Sequence, residues 1–284
     1  MEYIGFEVIK DNETSLKRWE KNKVRESGVL VSNDDSTIVN RSDNVIVIDD
    51  MYISRQDNYL FSSLKMLVKC EDKPSFVIVS EDLRLLDKAR KILSSCNQYN
   101  VDYVDLGRDD DLKFLLNRVD FASSSAVFIH ASDSKIENKK VIHVVDSFIN
   151  KTFVDNKNKG LKNKVYMFVD CVTLLPKSQL LVKSISLRKP ENLRYIFVVD
   201  DLDSFNYDYS RESSTIKESC NSIIYYSSGD NGTLKELSRI ANFERKVINK
   251  ALDEKVVFDF STLDKDNVVY IQKNRISRIT KIKE

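Results

Sequence analysis

Acidic residues stand where short apolar runs stop: Asp49 and Asp50 after "NVIVI", Asp170 after "KVYMFV" and Asp200 after "RYIFVV". A carboxylate at the end of a buried strand can hold a divalent cation through water, or cap the helix that follows. A strand, a loop and a helix in succession also make the usual setting of a phosphate cradle. There a G-x-x-x-x-G-K-[ST] string aims backbone N–H groups and a lysine at phosphates, while Ser or Thr holds magnesium. No such string occurs in this chain. In "NVIVIDDMYISRQDN", the window Asp49 to Gln56 puts Asp49 at the first glycine and Ser54, Arg55 and Gln56 at the Gly, Lys and Ser/Thr places. Replacing a left-handed glycine costs about 1–2 kcal/mol. An aspartate facing a phosphate repels it by roughly 3 kcal/mol at ~5 Å and an effective dielectric of ~20. Arg55 alone does not offset that. Asp170 is followed by Cys171, and a neutral thiol is a poor general base for activating water.

The elements that must position these residues are legible from periodicity. Continuous β-branched and aromatic runs mark strands covered on both faces: "NVIVI" (Asn44 to Ile48), "SFVIVS" (Ser75 to Ser80), "VDYVDL" (Val101 to Leu106), "AVFIHA" (Ala126 to Ala131), "KVYMFVD" (Lys164 to Asp170), "RYIFVVD" (Arg194 to Asp200) and "SIIYY" (Ser222 to Tyr226). Helical patterns lie between them. Leu83, Leu86, Ala89 and Leu93 form one stripe behind Ser80 as N-cap, and Thr233 with Glu236 has the spacing of a capping box. Alternating strands and helices with short polar connections predict an α/β fold with a mainly parallel, doubly wound sheet flanked by helices. The first 43 residues read as a helix and hairpin appended to one α/β domain over 44–284.

Composition narrows the function classes. Lys and Arg number 45 against 44 Asp and Glu, so no overall basic field argues for nucleic acid. No apolar run approaches the roughly 20 residues of a membrane span, and a cytoplasmic protein is expected. Cys70, Cys96, Cys171 and Cys220 are scattered, without a C-x-x-C pair, so neither zinc nor a disulfide framework is expected. His130 and His143 sit in or beside apolar runs and read as structural. The tail carries Lys273, Arg275, Arg278, Lys281 and Lys283, interleaved with Ile276, Ile279 and Ile282, which reads as a half-buried segment with a solvated basic face.

Taken in order, these segments resemble the type IV secretion coupling ATPases of the TraG/TraD kind, RecA-like motors that bring substrates to a secretion channel. "SDNVIVIDDMYISRQDN" is similar to that family's phosphate-loop region, and "SFVIVSEDLRLLDKARKIL" to its next strand, D-P-K-G-E motif and helix. "KVYMFVDCVTLLP" takes the Walker B place, and "SISLRKPENLRYIFVVDDLDSF" resembles a run with a family arginine, matched by Arg188, and a phosphate-sensing glutamine, replaced by Asp200. "SCNSIIYYSSGDNGTLKELSRIANFERK" matches its N-C…D-x-x-T pattern at Cys220, Asp230, Thr233 and Ser238.

The departures fall on the chemistry. The nucleotide-site positions Asp49, Asp50, Ser54, Arg55, Gln56, Asp170, Cys171, Arg188 and Asp200 read as degenerate, and Ser80 to Arg84 replaces D-P-K-G-E. The family's N-terminal membrane anchor and most of its all-helical insert are expected to be absent. What the resemblance implies is a RecA-like P-loop NTPase fold with an emptied site: a pseudo-ATPase with no catalytic residue, cofactor or metal, acting as a binding or adaptor subunit in conjugation or secretion. Its partners would be channel components, an authentic coupling ATPase or a relaxase-type substrate, and it would be a monomer or small oligomer recruited to the inner face of the membrane. The alternatives are a nucleic-acid-binding accessory protein of a mobile element and a weak NTPase motor.

Overall fold

The computed structural model describes residues 29–30, 38–39, 44–49, 60–68, 73–96, 98–104, 115–134, 137–170, 172–186, 191–227, 230–248, 267–272 and 275–280. Strands β1 (Val29–Leu30) and β2 (Ile38–Val39) form a small antiparallel ladder. The main body is a sheet of β3 (Asn44–Asp49), β4 (Ser75–Ser80), β5 (Asn100–Val104), β6 (Ser125–His130), β7 (Val165–Asp170), β8 (Leu193–Val199), β9 (Cys220–Ser227), β10 (Asn267–Gln272) and β11 (Arg275–Thr280). Its spatial order is β11-β10-β9-β3-β8-β7-β4-β6-β5. The seven strands from β9 to β5 run parallel, whereas β10 and β11 add an antiparallel hairpin at one side. A mainly parallel doubly wound sheet is therefore what forms.

Helices follow as α1 (Phe61–Leu67), α2 (Leu83–Ser94), α3 (Asn138–Lys159), α4 (Gln179–Ser186), α5 (Leu202–Tyr209), α6 (Arg211–Ser219) and α7 (Asn231–Ile248). From β3 the chain steps outward to β4 and β5, then returns through β6, β7 and β8 before crossing to β9. Right-handed crossovers require the two directions of travel to place their helices on opposite faces. Accordingly α1 and α2 pack with Val45, Phe76, Phe128, Tyr166 and Ile196 on one face. Helices α3 to α7 pack with Ile46, Val77, Val127, Met167 and Phe197 on the other. Because β3, β4, β6, β7 and β8 are covered on both faces, their apolar residues run without alternation, whereas the terminal strand β5 is covered only in part and leaves Asn100 and Tyr103 exposed.

Two local readings change. The α2 cap is Asp82, which accepts from the Arg84 N–H at 2.8 Å, because Ser80 is still the last residue of β4. Leu83 is consequently half exposed and Leu85 takes the buried stripe with Leu86, Ala89 and Leu93. At α7 the cap is Asp230, which accepts from the Thr233 N–H at 2.5 Å, while the Thr233 hydroxyl accepts from the Leu202 N–H at 2.7 Å. Glu236 meets Lys217 at 2.6 Å instead of closing a capping box. Strand β5 is described over Asn100–Val104, and residues 105–106 of the run read from sequence lie outside the described residues.

At the amino end of β3, inside the sheet, the fully buried Asn44 side chain holds three elements together. Its amide donates to the Ser219 carbonyl at 3.3 Å and accepts from the Tyr195 N–H at 3.1 Å. Ile276 and Ile279 lie in β11, in register with Ile271 and Val268. Lys273, Lys281 and Lys283 of the tail lie outside the described residues.

Candidate functional site at the carboxyl edge of the sheet

All seven parallel strands end at the same edge, and the pleat decides which of their last residues share a face. Asp49 continues the Val45, Val47 alternation of β3, and Asp170 continues Tyr166 and Phe168 of β7. Ser80 follows Phe76 and Ile78, His130 follows Ala126 and Phe128, and Tyr226 follows Ile224. The face is in each case the one covered by α1 and α2. Tyr226, Asp49, Asp170, Ser80 and His130 thus form a polar row across β9, β3, β7, β4 and β6, with Asp200 following β8 between β3 and β7. In sheets of this type, ligands are received at this edge, where the crossovers change direction.

The row is tightly organised. Ser80 Oγ donates to Asp170 Oδ2 at 2.8 Å and accepts from the Asp82 N–H at 3.0 Å, while the Ser80 carbonyl accepts from the Ala131 N–H at 2.9 Å. His130 Nε2 lies 3.1 Å from the Glu81 carbonyl oxygen, so that nitrogen carries the proton. Asp49 is fully buried and Asp170 nearly so. Burial pushes the Tyr226 hydroxyl far above the usual phenol range, and the negative charge of Asp49 pushes it the same way. The register slips at the end of β3, where Ile48 pairs with Tyr225 but Asp49 with Ser227, and this irregularity sets Tyr226 beside Asp49.

This geometry places three of the nine positions singled out in the sequence, Asp49, Asp170 and Asp200, on one edge. Asp49 and Asp170 are separated by β8, about 10 Å between strand axes. The other six, Asp50, Ser54, Arg55, Gln56, Cys171 and Arg188, lie outside the described residues. Among the described residues no three His, Cys, Asp or Glu side chains converge as metal ligands. Ser80 as the partner of Asp170, and Tyr226 beside Asp49, were not assigned to the site from sequence. The signal was a polar residue closing each apolar run.

No family model matches the chain, and no curated protein matches it. Among solved structures, VirB4 of Thermoanaerobacter pseudethanolicus superposes with a TM-score of 0.56 at 10% identity, over 92% of this chain and 98% of that one. The bacterial conjugative coupling protein TrwBdeltaN70, in its trigonal form with sulphate, gives 0.54 at 11% identity, over 99% and 95%. The fold is that of a RecA-like P-loop NTPase. The genome packaging NTPase B204 of Sulfolobus turreted icosahedral virus 2, in complex with AMPPCP, is a more distant match, at TM-score 0.48 and 13% identity over 84% and 97%. In this fold Asp49 closes β3 and Asp170 closes β7, with β8 between them. Asp49 is a buried carboxylate, and Asp170 Oδ2 is engaged by Ser80. Among the described residues, no helix of this RecA-like body is long and apolar enough to cross a membrane.

Proposed function

We propose that this chain is a coupling-protein homologue that binds and does not hydrolyse: a pseudo-ATPase serving as an adaptor subunit in conjugative transfer or type IV secretion. What supports the reading is the end of β3 at the carboxyl edge, where buried Asp49 stands at the place the resemblance gives to the first glycine and the sequence lacks the glycines and lysine of a phosphate loop. Likeness to VirB4 and to a conjugative coupling protein supports the secretion setting. Without nucleotide between subunits, closure of a ring lacks its usual bridge, and the chain acts as a monomer or small oligomer that engages protein partners of the channel. It works at the cytoplasmic side of the membrane; of the appendage read over residues 1–43, all but 29–30 and 38–39 lies outside the described residues.

Isothermal titration with magnesium and ATP tests this directly. No heat of binding is expected up to millimolar nucleotide, and a micromolar Kd would overturn the reading. Arg55→Ala is expected to leave partner binding unchanged, in contrast to loss of the phosphate-loop lysine in a working motor. The nucleic-acid alternative has no overall basic field behind it, with 45 Lys and Arg against 44 Asp and Glu. Steep salt dependence of DNA binding would be its signature.

A further inference from the structure

The carboxyl edge has a second tie, on the face opposite the polar row. Asn138 is the first residue of α3 and is fully buried. Its Oδ1 accepts from the Ser132 N–H at 2.8 Å, and its Nδ2 donates to the Ser132 carbonyl at 2.7 Å and to the Leu174 carbonyl at 3.1 Å. The orientation of the amide is fixed by its partners. A flip would set oxygen against two carbonyls and the NH2 against an N–H. Ser132 belongs to the loop that leaves β6 and Leu174 to the loop that leaves β7, yet β4 lies between those strands. One side chain therefore reaches past an intervening strand end to join two loops that do not otherwise follow one another.

Each loop is also organised at its far side. In the first, the Ser132 hydroxyl donates to Glu137 and accepts from the Ser134 N–H at 3.2 Å. In the second, Leu175 N–H bonds to the Val172 carbonyl at 3.2 Å. Ser178 Oγ accepts from the Leu181 N–H at 3.0 Å, starting α4, and donates to Asp146 Oδ1 of α3 at 2.5 Å. Helix α3 thus grips the β6 loop and the β7 loop through its first turn, and the end of the β7 loop through Asp146.

We infer that Asn138 couples the loop after β6 to the loop after β7, so that the two open and close as one unit at the carboxyl edge. The inference rests on this hydrogen bonding and is independent of what occupies the edge. Its consequence is that a contact made on either loop changes the order of the other, since two sites that bias one shared element are linked.

Hydrogen–deuterium exchange of the full chain, resolved at 131–134 and at Leu175 and Leu181, tests it with Asn138→Asp at pH 8. Aspartate keeps an acceptor for the Ser132 N–H and suits the start of a helix, but turns a second oxygen toward the Ser132 and Leu174 carbonyls. The expected result is about tenfold faster exchange at Leu175 and Leu181 together with 131–134, the size of losing one buried hydrogen bond. Faster exchange confined to 131–134 overturns the inference. Ser132→Ala, which leaves the Asn138 bonds to backbone intact, is expected to loosen 131–134 alone. Should Asn138→Asp not fold, Asn138→Ser removes the reach to Leu174 with a good helix-starting residue and is read the same way.

Discussion

Ser80 Oγ donates to Asp170 Oδ2 at 2.8 Å, across the seam between β4 and β7. Both residues end their strands, and the serine hydroxyl is held in turn by the Asp82 N–H. The carboxylate is therefore oriented along the sheet edge by a neighbour within the protein. Ser80→Ala removes that donor from a buried acid and strips the Asp82 N–H of its acceptor. It is expected to cost about 1–3 kcal/mol, read as a lower midpoint in urea denaturation, whereas Ser80→Thr retains most of the stability.

Ser210, between α5 and α6, has φ 50° and ψ −120°, a conformation in which a side chain is strained. Ser210→Gly is expected to stabilise the fold by about 0.5–1 kcal/mol, the relief of strain less the greater freedom of glycine in the unfolded chain. Ser124 also has positive φ, but its hydroxyl donates to the carbonyl of Lys73, itself at positive φ, at 2.9 Å. Ser124→Gly should gain less in the same denaturation assay.

Lys217 bridges Glu236 at 2.6 Å and Asn206 at 2.7 Å, and Asn206 donates to Glu236 at 3.0 Å. This closed triangle joins α5, α6 and α7, and its two charged members are only 16% and 15% exposed. A cycle of Lys217→Met, Glu236→Gln and the double change is expected to give a coupling of about 1–2 kcal/mol, the double change costing less than the sum of the two single changes.

Asp230 has a carboxyl held below the usual range, chiefly because it accepts from the Thr233 N–H. A depressed folded value means the cap contributes fully above the ordinary carboxylate value of 3.8 and is lost as pH falls through the lower folded value. Asp230→Asn should flatten that part of the stability–pH curve while keeping the cap. Asp230→Ala should cost about 1 kcal/mol at neutral pH, measured by thermal melting.

How much was legible follows from what periodicity can carry. Strands such as Val165–Asp170 announce themselves because burial on both faces leaves only apolar side chains until the edge. Caps were misplaced by two or three residues, at Ser80 for Asp82 and at Thr233 for Asp230, because serine, threonine and aspartate are interchangeable as candidates until the strand end or helix start is fixed in space. Glu236 looked like a capping-box partner from spacing alone, and only the approach of α6 gave it Lys217. Asp49 and Asp170 could be picked out as strand-end acids. That Ser80 binds one and Tyr226 lies by the other depends on strand order and on the slip at Asp49, which no local pattern encodes.

The position of β3 has a consequence for biosynthesis. It pairs only with β8 and β9, and Asn44 at its start waits for Tyr195 and for Ser219, a separation of 175 residues. At ribosomal speeds of about 5–20 residues per second, the apolar run Val45 to Ile48 stays without its neighbours for roughly 10–35 s. Meanwhile β4, β6, β5 and then β7 can already assemble beside one another. The earliest strand of the sheet is thus among the last to be housed, and a nascent chain arrested before β9 would present a sticky four-residue stretch to chaperones.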